Sequence, residues 1–82
     1  MKYYTYILHS ETRDRYYIGS TMDLQQRLQR HNQGATKSTK NGRPWKIVYY
    51  EEFDNKTDSL KRENQIKKMK SRIYIESLIE KD

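Results

Sequence analysis

Apolar and polar positions alternate along the first third of the chain with a period of two. Residues 2–9, Lys-Tyr-Tyr-Thr-Tyr-Ile-Leu-His, are aromatic and β-branched, which predicts a strand. The alternation puts Tyr4, Tyr6 and Leu8 on one face and Tyr3, Thr5 and Ile7 on the other. Residues 15–20, Arg-Tyr-Tyr-Ile-Gly-Ser, predict a second strand, and the short polar link before them predicts an antiparallel hairpin. The expected register pairs Leu8 with Arg15 and sets Tyr6 opposite Tyr17. A slip along the hairpin would separate them. On either register Tyr16 and Ile18 point one way, while Tyr17 and Gly19 point the other.

The period then changes. Residues 20–34 predict a helix capped by Thr21 or Asp23, with Gly34 in the left-handed position past its end. Its apolar stripe is only Leu24 and Leu28, so light packing is expected. Residues 35–45 form a loop broken by Gly42 and Pro44. Residues 46–53 predict a third strand in the same sheet, and the run Ile47–Tyr50 predicts burial on both of its faces. A second helix starts at Asn55 or Thr57. A short third helix is capped by Ser71, with Ile75, Leu78 and Ile79 facing inward. The order ββαβαα describes one small α+β domain, residues 1–82.

Composition adds one constraint on the core. Only 33% of the 82 residues are hydrophobic, and 8 are tyrosine. A buried tyrosine needs a partner for its hydroxyl, so the core should have a polar edge. There is no cysteine, which excludes a disulfide scaffold and a thiolate zinc site. No stretch has the roughly 20 apolar residues of a membrane span, and the N-terminus lacks a signal-peptide pattern. A cytoplasmic protein is expected.

Charge changes the picture more. Seventeen Lys and Arg against 11 Asp and Glu give a formal charge of +6, and the cations are clustered. Leu24–Tyr50 contains no acid but holds Arg27, Arg30, Lys37, Lys40, Arg43 and Lys46. Leu60–Arg72 holds six cations and one acid, Glu63. Clustered cations fit a polyanion, nucleic acid above all. A soluble basic surface is the plainer reading.

Three sets of residues carry candidate chemistry. On the second helix Glu63 falls in the same half of the wheel as Leu60, Ile66, Lys67 and Met69. A carboxylate on a mostly apolar side needs a cation, either a metal or its i,i+4 neighbour Lys67. Arg27 and His31, also four apart, share a helix face. An Arg fork suits phosphate oxygens and a neutral His relays protons, unless the pair is merely an exposed basic face. Tyr6 and Tyr17 are either packing residues or hydroxyls whose protons nearby cations mobilise. Together they supply the parts of metal-assisted phosphodiester hydrolysis.

The ordered motifs resemble the GIY-YIG nuclease superfamily, in particular its small single-domain bacterial members related to the nuclease module of the excinuclease of DNA repair. They are Tyr-Thr-Tyr at 4–6, Tyr-Ile-Gly at 17–19, Asp-Leu-x-x-Arg-Leu-x-x-His-Asn-x-Gly from Asp23 to Gly34, Ser-Thr-Lys at 38–40 followed by Arg-Pro, residues 47–53, and Ser-Leu-Lys-Arg-Glu-Asn-Gln-Ile-Lys from Ser59 to Lys67. The resemblance implies a three-stranded antiparallel sheet flanked by helices and a divalent-metal-dependent endonuclease acting on DNA, linked to repair or recombination. By position it implies that Tyr6 and Tyr17 are the two motif tyrosines, one of which activates water. Arg27 contacts the scissile phosphate, and His31 follows one turn later. Glu63 binds one Mg2+ (or Mn2+), and Gly19 lets the backbone pass close to the site. Arg30, Lys37, Lys40, Arg43 and Lys67 are the expected nucleic-acid contacts. The partner is DNA, with RNA open, and a monomer with no membrane association is expected. Two departures stand out: the first triplet begins with Tyr4 rather than glycine, and Ser20 stands where some relatives carry lysine. The competing reading is a non-catalytic nucleic-acid-binding module of the same fold. The discriminating feature is whether Glu63 converges on Tyr6, Tyr17 and Arg27.

Overall fold

The computed structural model describes residues 1–80. Three strands, β1 (Tyr3–Ser10), β2 (Arg15–Thr21) and β3 (Trp45–Phe53), form one antiparallel sheet in the order β2-β1-β3. Helix α1 (Leu24–Asn32) follows the hairpin, and α2 (Lys56–Met69) and α3 (Arg72–Glu80) follow β3. The α+β architecture and the ββαβαα order match the sequence reading. The loop between α1 and β3 holds a short 3₁₀ helix, Lys37–Gly42, that the pattern did not predict.

The hairpin closes two residues further along than expected. Ser10 pairs with Arg15, so Leu8 faces Tyr17 and Tyr6 faces Gly19. The turn explains the shift: Ser10 O accepts from Asp14 N–H at 2.8 Å and its hydroxyl accepts from Arg13 N–H at 3.1 Å. Asp14 takes the left-handed conformation, φ 51°, which Asp tolerates better than most residues. Tyr6 and Tyr17 remain on one face as diagonal neighbours, with ring centroids 6.5 Å apart.

β1 is the central strand, buried from Thr5 to Leu8. The apolar run of β3 does not give burial on both faces, because β3 is an edge strand and Tyr50 is exposed. Between Ile7 and Leu8 the β1–β3 register shifts, leaving Val48 as the extra residue.

The sheet separates two cores. On one face Ile7 packs with Ile66 of α2 and Ile75 and Leu78 of α3, flanked by Tyr16, Ile18, Val48 and Tyr49. Burying such aliphatic side chains contributes about 1.5–3 kcal/mol each. Across this layer Arg62 pairs with Glu51 at 2.9 Å and donates to the Tyr74 hydroxyl at 3.0 Å. Arg62 is therefore an internal clamp between β3, α2 and α3, and not part of a basic surface. On the other face Tyr6, Leu8 and Trp45 pack with Tyr17, Leu24, Leu28 and Ile47 beneath α1.

Candidate active site

Asp23 caps α1, its carboxylate accepting from Gln26 N–H at 3.0 Å, while Thr21 accepts from Asp23 N–H at 3.1 Å. Gly34 ends the helix at φ 79°. These two stops fix the rotation of α1 over the sheet. Leu24, Leu28 and His31 then form its inner stripe at i, i+4 and i+7. His31 is 0% exposed, so the exposed-face alternative for Arg27 and His31 fails for the histidine.

His31 sits between the two tyrosines. Its Nε2 lies 3.0 Å from the Tyr6 hydroxyl, and its ring packs edge-on to Tyr17 at 4.9 Å between centroids. Its Nδ1 lies 2.8 Å from Thr39 Oγ1 in the 3₁₀ helix. Burial, then the positive charges of Arg27 and Arg30, hold the His31 pKa below the ordinary imidazole value. The ring is neutral near pH 7.

Tyr6 is 1% exposed. Burial drives its pKa well above the ordinary tyrosine range, aided by Tyr17 and by the charge of Glu63, while Arg27 opposes the shift by its charge and as a hydrogen-bond donor. Tyr17, Arg27 and Glu63 thus all act on one phenol. Gly19 makes the approach possible: a Cβ there would lie 2.5 Å from the Tyr6 hydroxyl and 2.7 Å from Cζ. The β2 backbone at Gly19 thus passes directly against the Tyr6 ring.

Glu63 comes from α2, which packs on the opposite face of the sheet from Tyr6. Ser20 Oγ donates to its Oε1 at 2.7 Å, and Lys67 donates to its Oε2 at 2.6 Å. Ser59 O accepts from both Thr5 Oγ1, at 2.6 Å, and Ser20 Oγ, at 3.3 Å, and so ties α2 to β1 and β2. Ser20 and Arg27 line one cleft of ≈ 430 Å³, with Tyr3, Met22, Gln26 and Leu60 among its other walls. Arg27 therefore lines the same opening as Ser20, whose hydroxyl donates to Glu63.

The donor set fits a hard divalent cation that keeps most of its water. Glu63 supplies one carboxylate, and no group of three His, Cys, Asp or Glu side chains clusters among the described residues. Mg2+ commonly binds through one or two carboxylates, with water and substrate phosphate completing its shell. Lys67 would have to yield Oε2.

Arg30, Lys37, Lys40 and Arg43 are exposed and form no ion pairs among the described residues. Arg43 folds back, donating from Nε to Lys40 O at 2.8 Å. Lys67 is engaged by Glu63, and Arg72 by Asp14 and Glu76. Half of the second basic cluster, Arg62, Lys67 and Arg72, is thus internally paired, while Lys61, Lys68 and Lys70 are exposed and form no ion pairs among the described residues. In the first cluster Lys46 pairs with Glu11, and the other exposed cations are free positive charge on α1 and the 3₁₀ loop. Sequence reasoning missed Thr39 and Trp45, and it marked Ser20 only as a departure from the motif. Trp45 Nε1 donates to Thr39 O at 2.6 Å, and Trp45 N donates to Asn32 Oδ1 at 2.6 Å, which locks the 3₁₀ helix against α1.

The family model described as "GIY-YIG catalytic domain" matches residues 2–75. A UPF0213 protein of Syntrophus aciditrophicus is 46% identical over 70 residues, 83% of this chain and 79% of that one. A UPF0213 protein of Staphylococcus saprophyticus is 42% identical over 67 residues, 80% of each chain. The solution structure of a UPF0213 protein from Bacillus halodurans superposes with a TM-score of 0.60 at 30% identity, covering 96% of this chain and 83% of that one. No helix among the described residues is long and apolar enough to cross a membrane. By sequence and by fold, the chain belongs to the GIY-YIG catalytic-domain family, among its small UPF0213 proteins.

Proposed function

We infer that this protein is an endonuclease that hydrolyses DNA phosphodiester bonds with the help of one divalent metal ion, Mg2+ or Mn2+. The observation that carries this reading is the buried Tyr6–His31 hydrogen bond, packed by Tyr17, with Arg27 and Glu63 near enough for their charges to act on the phenol.

The residues divide the work. The phosphodiester enters the cleft and Arg27 contacts its non-bridging oxygens, stabilising the charge that grows on them. Water attacks phosphorus in line and the bond to the leaving oxygen breaks. Tyr6 is protonated at neutral pH, so it acts as a relay: it takes the proton of the attacking water as it passes its own to His31 Nε2. Tyr17 packs against both rings and fixes their angle. Glu63 holds the metal, which when bound supplies further charge neutralisation at the phosphate and leaving oxygen. Arg30, Lys37, Lys40 and Arg43 track the backbone, which makes binding salt-dependent. Selectivity for DNA structure, as in repair or recombination, is the mode proposed.

The test is cleavage of a panel of duplex, flap and single-stranded DNAs with Mg2+, beside Glu63→Ala and an EDTA control. Cleavage by the wild type alone, lost in both controls, supports the reading. Binding without cleavage of any substrate would leave the non-catalytic module in its place.

A further inference from the structure

We propose that Thr39 is a positioning residue: it holds the His31 imidazole in the Nδ1–H tautomer, which leaves Nε2 as the acceptor for the Tyr6 hydroxyl proton. The role of that proton rests on the nuclease reading above, whereas the tautomer stands on the hydrogen-bond network alone.

The network has one consistent direction. Both ring nitrogens are occupied by hydroxyls, Tyr6 at 3.0 Å and Thr39 at 2.8 Å, and neither hydroxyl fixes a tautomer by itself. The outer partners do. Arg27 acts on the Tyr6 phenol by its charge and, as a guanidinium, has no acceptor to offer the Tyr6 proton. Among the described residues Nε2 is the acceptor within reach of the Tyr6 O–H. At the other end, Thr39 Oγ1 lies 3.3 Å from the carbonyl of Thr36, which can only accept. The bonds therefore run from the Tyr6 O–H to His31 Nε2 and, from the opposite nitrogen, from Nδ1–H to Thr39 Oγ1 and from the Thr39 hydroxyl to Thr36 O. In the reversed tautomer Nε2–H would face a phenol whose own buried proton has no partner, and an unmade hydrogen bond in a buried site carries the full desolvation penalty of the group.

The surroundings keep the ring neutral. His31 is faced by Tyr6 from β1, Tyr17 from β2, Arg27 and Arg30 from its own helix, and Thr39 from the 3₁₀ helix. No carboxylate hydrogen-bonds it among the described residues, so nothing close by stabilises an imidazolium in the resting state. Thr39 is itself 0% exposed, and its backbone is pinned by Trp45 Nε1 at 2.6 Å. The 3₁₀ helix thus delivers one hydroxyl to one nitrogen.

The test reads the tautomer directly, by nitrogen-detected NMR of the imidazole rings without substrate. The chain has two histidines, so His9 serves as the internal reference. Wild type and Thr39→Ser should show His31 protonated at Nδ1 and bare at Nε2. Thr39→Val keeps the shape, removes the acceptor, and should shift the population toward Nε2–H. In cleavage assays Thr39→Val should lower kcat about 10-fold to 100-fold with KM little changed, the range expected when proton transfer is misaligned, and Thr39→Ser should restore it. Wild-type His31 protonated at Nε2 overturns the proposal, a reading that needs no folded variant. So does a Thr39→Val protein that keeps the wild-type tautomer, or one that loses it with kcat unchanged. Absence of cleavage by the wild type on every substrate would instead overturn the nuclease reading, and the tautomer result would stand apart from it.

Discussion

Toward α2 and α3 the sheet presents Ile7, Ile18 and Val48 to Ile66, Ile75 and Leu78. Toward α1 it presents Tyr6, Tyr17 and Trp45 to Leu24, Leu28 and His31. The first layer is held mainly by aliphatic burial, with the Arg62 clamp and the Thr5–Ser59 bond at its margins. The second buries a phenol, an imidazole, an indole and a threonine hydroxyl, and no buried side-chain N or O atom among the described residues lacks a hydrogen bond. A layer of that kind is specific because each member must find its partner, and it offers protons that an aliphatic layer cannot. The strand β1 serves both, with Thr5 and Ile7 facing one layer and Tyr6 and Leu8 the other.

The sharpest way to separate the layers is to remove one residue from each. Arg27→Ala should cut the cleavage rate about 10²–10³-fold, the range for losing one donor to a developing oxyanion. Its unfolding free energy in urea should stay close to wild type, because the lost group is on the cleft wall. Ile66→Ala should do the reverse. It should cost about 2–5 kcal/mol of stability in the same titration and leave kcat of the folded fraction unchanged. If Ile66→Ala lowered kcat while Arg27→Ala destabilised the fold, the division between the layers would be wrong.

Gly19→Ala tests the passage between them. The added Cβ would meet the Tyr6 hydroxyl, so the ring must move and its bond to His31 must lengthen. Overpacking of this kind costs about 1–3 kcal/mol. The cleavage rate should fall with it, and the Tyr6–His31 contact should be lost in nuclear Overhauser spectra.

A smaller effect is expected from pH. The folded state holds the His31 pKa below its ordinary 6.5, through burial first and then Arg27 and Arg30. The unfolded chain therefore binds a proton more readily than the folded one. Stability from keeping His31 neutral is full above pH 6.5 and declines as pH falls below it toward the folded pKa. His31→Gln should remove that part of the acid slope, read as urea midpoints between about pH 7.5 and 5. The smallest expected change is at Lys67. Lys67→Ala frees Glu63 Oε2 from a surface i,i+4 pair of at most about 0.5 kcal/mol, so Mg2+ should bind a few-fold more tightly and stability should barely move.

The aliphatic layer was the more legible one in the sequence. Ile75 and Leu78 announce themselves by spacing on a short helix, and Tyr16 and Ile18 by alternation on β2. The polar layer was legible in its residues but not in its wiring. Tyr6, Tyr17, Arg27, His31 and Glu63 follow from ordered motifs, yet the burial of His31 does not follow from its chemistry. The signal was present in the seven-residue spacing from Leu24, which a polar residue at the third position disguised. The register slip had a local cause that alternation cannot report: one left-handed Asp14 and a serine that caps its own strand. Thr39 was the least visible, since a threonine between lysines in a glycine- and proline-bearing segment reads as solvated loop. Its meaning comes from the Trp45 and Thr36 contacts, which only the folded chain brings together.

Trp45 carries one more consequence. It is the single tryptophan in a chain of eight tyrosines, 4% exposed, with its ring 6.3 Å from Tyr17 and its Nε1 bonded to Thr39. Excited above the tyrosine absorption band, the protein emits from one place, the seam where the 3₁₀ helix meets the polar layer. It therefore carries its own optical gauge of that seam, and opening of the 3₁₀ helix or entry of a strand can be followed in unlabelled protein by the colour and intensity of one indole.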